Sequence, residues 1–115
     1  MKKPKQAKSR AAALLLVVSA LSACSSAEDK FYESYKCGRV AQMMGHRQEA
    51  LAAGRKAEPF VADLPDKYKA NQGQFMLRLN TRFTDDLALY KLSPAGQGKA
   101  IMDAYESDAC QKLYK

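Results

Sequence analysis

The sequence predicts an all-α fold: a small bundle of three to five helices, stapled by one disulfide. Three observations carry this reading. Apolar side chains recur at helical spacing, most clearly at Phe75, Leu79, Phe83 and Leu87. Strands lack support, since no run alternates β-branched residues with polar ones, and beyond residue 23 the only valines are Val40 and Val61. Two of the three cysteines, Cys37 and Cys110, fall in the first and last predicted helices, where a bond between them would clamp the bundle.

The N-terminus has the three parts of an export signal. Lys2, Lys3, Lys5, Lys8 and Arg10 form a basic stretch, Ala11 to Leu21 is apolar, and small residues follow. The apolar run is shorter than the about 20 residues that a spanning helix needs. The chain therefore divides into a signal over residues 1–23, a tether over 24–28 and a helical domain over 29–115.

Leu21-Ser22-Ala23-Cys24 resembles the lipobox of bacterial lipoproteins. The resemblance implies cleavage before Cys24, acylation of its sulfur and attachment to a membrane through the lipid. Several acyl chains anchor stably where one holds only marginally. Ser25 rather than Asp follows the cysteine, which in this class implies the outer membrane, facing the periplasm. Ser25-Ser26-Ala27 also fits an ordinary small-x-small cleavage site, which would release a soluble periplasmic chain without Cys24.

Removing the first 23 of 115 residues changes the charge balance. Five of the 19 basic residues and none of the 12 acids lie there, so the remaining 92 residues carry a net charge of +2. The basic character of the whole chain belongs to its signal, and no dense basic run or nucleic-acid motif remains. With Cys24 taken by lipid, Cys37 and Cys110 are left to pair in an oxidising compartment.

Phe31, Tyr35, Val40, Met43 and Met44 give the first helix its apolar positions, and Gly45 ends or kinks it. His46 to Ala57 is rich in strong helix formers, with Pro59 as its expected limit. Gly38, Gly45, Glu49, Ala50, Leu51, Lys56 and Ala57 make these two segments resemble a single tetratricopeptide repeat. Gly54 stands where that repeat has a bulky aromatic, no proline falls at its expected end, and no second copy follows. The plainer expectation is one helical hairpin packed closely at small residues.

Residues 60–65 read as a connection, with Asp63 or Leu64 capping a further helix and Pro65 in its first turn. The stripe from Phe75 to Tyr90 then belongs to one helix or to two, with breaks placed at Asn80-Thr81 or at Thr84-Asp85-Asp86. Ser93-Pro94 is a clear start signal, a favoured cap followed by proline at the first helical position. Ile101, Met102, Tyr105 and Leu113 mark the apolar face of a single last helix holding Cys110.

Catalytic chemistry finds little footing. His46 is the only histidine, and it reads as an exposed residue beside a turn, with no acid marked to orient it. Zinc sites need several ligands at short spacing, which are missing here, and Asp85-Asp86 is explained by a helix start. Gly96-Gln97-Gly98 follows a helix start rather than a strand, so no phosphate loop is read. No cofactor, metal or nucleic acid is expected.

The expectation is a non-enzymatic protein-binding accessory factor of the cell envelope. In architecture it is similar to small helical lipoproteins that serve envelope machinery, secretion-system pilotins among them. Tyr32, Tyr35, Met43, Met44 and Tyr114 are the candidate partner-binding residues, since tyrosine and methionine suit adaptable surfaces, although they also suit an ordinary core. The alternative is an immunity, inhibitor or exclusion lipoprotein that binds an incoming toxin or hydrolase. Its contact loops would be His46-Arg47 or Lys67-Tyr68-Lys69.

Overall fold

A computed structural model describes residues 26–115. Residues 1–25, which hold the expected signal and Cys24, lie outside the described residues. Among the described residues six α-helices and one 3-10 turn follow one another: α1 Ala27–Met43, α2 Arg47–Val61, α3 Asp66–Ala70, α4 Gln72–Asp86, the 3-10 turn Leu89–Lys91, α5 Pro94–Glu106 and α6 Asp108–Leu113. No strand occurs among the described residues. The chain is all-α, as its sequence predicts. Four long helices form the bundle, and the two short ones arise where the sequence reading had no break.

Helix α1 is the axis on which α2, α4, α5 and α6 pack, while α3 and the 3-10 turn pack on α4. It starts two residues earlier than expected because Ser26 caps it, its hydroxyl accepting from the Asp29 amide at 3.1 Å. It ends in a Schellman turn. The Gly45 amide donates to the Gln42 carbonyl and the His46 amide to that of Ala41. Gly45 sits at φ +81°, a left-handed conformation that glycine adopts without penalty. The turn sends α2 back antiparallel along α1. The two helices meet at Gly38, where an added Cβ would lie 3.4 Å from the Ala50 carbonyl oxygen and 3.7 Å from the Ala53 Cβ. Val40, Ala41 and Ala53 are fully buried, and Ala57 is nearly so.

Pro59 does not end α2, which runs on to Val61. The proline removes one intrahelical bond close to the helix end, where few remain to be lost. The following break is also displaced. Pro65 rather than Asp63 or Leu64 stands at the cap of α3, and Leu64 is buried in the core. Neither Asn80 nor Thr84 interrupts α4, and Thr84 donates its hydroxyl to the Asn80 carbonyl within the helix at 2.9 Å. The interruption lies at Asn71, whose side chain accepts from the Gln74 amide at 3.1 Å and starts α4 afresh. Phe75, Leu79 and Phe83 of the predicted stripe are buried, while Tyr90 lies beyond the helix and is exposed.

Ser93 caps α5 as expected, accepting from the Gly96 amide at 3.2 Å. The last helix is divided by Ser107, which accepts from the Cys110 amide at 3.3 Å and donates to the Ala104 carbonyl at 2.6 Å. That bend turns Cys110 onto α1. Met102, expected on the apolar face, is exposed. The Cys37–Cys110 disulfide joins α1 to α6, with Cα atoms 5.1 Å apart and both cysteines fully buried. Beside it the Tyr114 hydroxyl donates to the Cys37 carbonyl at 2.7 Å. Burial pushes the Tyr114 phenol up to about 12, so it stays a donor.

Candidate functional site

The antiparallel hairpin leaves a groove on one face of α1 and α2, with a volume of about 790 Å³. Ser34, Gly38 and Gln42 line it from α1, Gly45 closes it at the turn, and Ala50 and Gly54 line it from α2. Tyr35, Arg39, Arg47 and Leu51 complete its walls. Its lining is therefore small residues flanked by an aromatic, an aliphatic, a glutamine and two arginines.

The two glycines differ in what explains them. Gly38 permits the close approach of α2. A Cβ on Gly54 would meet nothing within 4 Å, so packing within the described chain does not require glycine there. Glycine inside a helix costs about 1 kcal/mol relative to alanine. Gly54 thus leaves an open strip of backbone facing the groove.

Arg39 is held in place by its neighbours. Arg39 donates to the Tyr35 hydroxyl at 2.7 Å and to the Asn80 side-chain oxygen, and its guanidinium lies 4.5 Å from the centre of the Phe83 ring. Among the described residues neither Arg39 nor Arg47 is paired with a carboxylate. The groove is lined by two positive charges and no negative one.

Of the five candidate partner-binding residues, only Tyr35 lines this groove. Tyr32 is 3% exposed, belongs to the core and touches the cleft between α1 and α4 rather than this groove. Its hydroxyl donates to Asp86 at 2.8 Å, and burial together with that carboxylate drives its pKa strongly upward. Tyr114 is half-buried beside the disulfide, its ring stacked on Tyr105 at 5.3 Å. Met43 is exposed at the end of α1 and Met44 is half-buried in the turn, both outside the groove. The tyrosines do not form one patch. Tyr32 and Tyr35 stand toward α4, Tyr105 and Tyr114 on the α5–α6 side. Sequence reasoning assigned no binding role to Gly38, Arg39 or Gly54; the available signal was two glycines inside strong helical segments.

His46 precedes α2 and has an acidic neighbour that sequence spacing had not marked. Its Nδ1 lies 3.8 Å from Glu49, and its ring stacks on Tyr105 at 4.8 Å. Tyr105 donates to the Glu49 carboxylate at 2.8 Å, which raises the pKa of the phenol. This triangle lies on the surface and ties α2 to α5.

A second cleft, of about 960 Å³, runs between α1 and α4. Ion pairs cross it: Glu28 with Arg78, Asp29 with Arg82 at 3.0 Å, and Lys36 with Asp86 at 3.0 Å. Arg82 also lies 4.0 Å from the centre of the Tyr32 ring. Burial works against the charged form of Asp86, but its bonds from Lys36 and Tyr32 outweigh this and hold its pKa below the usual carboxylate value. This cleft is the seam by which α4 docks.

Among the described residues no group of three or more histidines, cysteines or acids is placed to hold a metal ion, and no helix is long and apolar enough to cross a membrane. No protein-family model, curated protein or solved structure matches the chain.

Proposed function

We propose that this chain is a lipid-anchored accessory protein of the bacterial envelope that binds another envelope protein through the α1–α2 groove and catalyses no reaction. The observation that carries the reading is the open backbone at Gly54, in a groove that Arg39 and Arg47 also line. A helix without a side chain at that point is weakened with no gain in its own packing, and a partner that needs close approach supplies the missing reason. The fitting ligand is an amphipathic helix with small or apolar residues facing Gly38 and Gly54 and carboxylates reaching the two arginines. The lipobox resemblance at residues 21–24 supplies the location, the periplasmic face of the outer membrane. In this arrangement the protein holds or delivers its partner at the membrane, as the likeness to pilotins implies.

Protective binding of a toxin or hydrolase finds less support. Arg47 is a wall of the groove, and Lys67-Tyr68-Lys69 forms α3 with Tyr68 stacked on Phe75 at 4.8 Å, so neither stretch is a projecting loop.

A photo-cross-linking amino acid at Leu51 tests the groove in living cells. The expected result is an adduct with one envelope protein, lost when Gly54→Trp fills the groove or Arg39→Glu reverses its charge. An adduct pattern identical to that from exposed Met102, or one indifferent to Gly54→Trp, refutes the reading. Cys24→Ala tests the anchor. A variant that keeps its membrane partition, with the wild-type protein unacylated by mass, refutes the lipid attachment.

A further inference from the structure

We propose that the end of the bundle where α1 begins is seated in the bilayer interface, so that the domain stands on the membrane in a fixed orientation; this rests on the lipid attachment at Cys24 proposed above. Three peptide steps separate Cys24 from Ala27, the first residue of α1, and they span at most about 11 Å. Phe31 lies one helical turn further, about 6 Å along the axis. Whatever surrounds Phe31 is thus held within about 20 Å of the acyl chains at Cys24.

What surrounds it is an apolar cavity of about 240 Å³ that opens to the surface. Phe31, Leu64, Tyr68 and Phe75 form its interior, with Phe31 and Phe75 rings 5.3 Å apart. Val61 and Met76 form its mouth and stay 44% and 49% exposed. These are apolar side chains left facing outward at the edge of an apolar cavity. Lysines frame them. Lys69 lines the cavity and sends its amine to the Ala62 carbonyl at 2.8 Å, Lys30 lies over the Phe60 ring at 5.6 Å, and Lys67 over Tyr68 at 5.2 Å. Apolar side chains bordered by tyrosine and snorkelling lysines suit the boundary between headgroups and acyl chains. Asp66 lies 3.9 Å from Lys69, so the rim is not strongly positive. Seating is therefore driven by burial of Val61, Met76 and the cavity mouth, and zwitterionic lipid suffices. The α1–α2 groove is lined from Ser34 to Gly45, further along α1 from the anchor, and this orientation presents it away from the membrane.

The chain contains no tryptophan, so a single one reports its own surroundings. Val61→Trp and Met76→Trp are made separately in the full-length protein, acylation is verified by mass, and each is reconstituted in phosphatidylcholine vesicles carrying brominated acyl chains. Leu51→Trp in the groove is the control. The expected result is bromine quenching and a blue-shifted emission for both variants at the cavity mouth, at an insertion depth of about 5–10 Å, with no quenching at Leu51→Trp. An acylated protein with neither mouth variant quenched overturns the seating and leaves the anchor standing. Equal quenching at all three positions also overturns it, because the orientation would not be fixed. A blue shift at the mouth that grows with protein concentration in the absence of lipid assigns this end to a second copy of the chain instead. A protein without the acyl mass overturns the anchor and the seating together.

Discussion

Removing the disulfide is the sharpest test of how this fold is held together. The double substitution Cys37→Ala with Cys110→Ala takes away the bond without leaving an unpaired buried thiol. The bond closes a loop with a sequence separation of 73 residues. In the chain-entropy model a loop of that size stabilises the folded state by about 4 kcal/mol, through the freedom that the cross-link removes from the unfolded chain. Both cysteines are fully buried at the joint between α1 and α6, so the lost sulfur contacts add to the deficit rather than reduce it. The Tyr114 hydroxyl bond to the Cys37 carbonyl remains and partly keeps α6 in place. For a domain of about 90 residues, a deficit of that size lowers Tm by roughly 15–30 °C. The assay is urea unfolding followed by circular dichroism, under non-reducing conditions, for wild type and the double variant. The midpoint should fall and the slope with denaturant should rise, since an unlinked chain exposes more surface on unfolding. A deficit below about 1 kcal/mol, well under the usual 2–4 kcal/mol, would refute the claim that this cross-link is a main support of the domain.

Three other outcomes follow from single positions. Ala88 sits at φ +51° just past α4, where a Cβ is strained and glycine is not. Ala88→Gly should therefore raise stability by about 0.5–1 kcal/mol, the strain relieved exceeding the flexibility that glycine adds to the unfolded chain; a lower urea midpoint would contradict the strain. Gly54→Ala should stabilise the isolated domain by roughly 0.5–1 kcal/mol, because its new methyl meets nothing, and a destabilised variant would show that the site is already packed. Asp86 has a folded pKa held below its ordinary value of 3.8, so its contribution is present at neutral pH and is lost as pH falls through the folded value. The stability lead of wild type over Asp86→Asn should shrink as pH is lowered from 7 towards 3, and a lead independent of pH would exclude this carboxylate as its source.

The parts of the fold that were legible in the sequence are those set by local chemistry or by one helix face. Gly45 and Ser93-Pro94 mark a turn and a start because only certain residues suit those backbone positions. Phe75, Leu79 and Phe83 share one face whatever that face packs against. The capping roles of Asn71 and Ser107 were not legible, since each stands within a helical stretch and becomes a cap only because the chain changes direction there to pack. Ser107 shows this well: its bend is what brings Cys110 to Cys37. Tyr32 and Tyr35 lie on the same helix, yet one is buried and the other lines the groove. The arrival of α4, with Asp86 and Phe83, decides between them. The groove was hard to read because its floor is made by missing side chains, and glycine inside a helical segment reads first as a weakness of that helix.

The two surfaces draw on different parts of the molecule, and this makes their roles separable. Every residue lining the groove comes from α1, α2 or the turn between them. The apolar cavity near the start of α1 needs α3 and α4 as well, through Tyr68, Phe75 and Met76. Helix α4 is held to α1 by Phe75, Leu79 and Phe83 and by ion pairs along its seam. Exposed ion pairs of that kind contribute little each and weaken in salt, whereas the α1–α2 contact is closely packed at Gly38, Val40 and Ala53. Loosening the seam by Asp86→Asn with Arg78→Ala should therefore disturb the cavity first and leave the groove its shape. A partner captured at Leu51 should survive that pair of substitutions, while the fixed orientation on the membrane should not. The reverse pattern, a lost partner with orientation kept, would mean that α4 shapes the groove through Arg39, Asn80 and Phe83, and that these residues belong to the binding site rather than to its support.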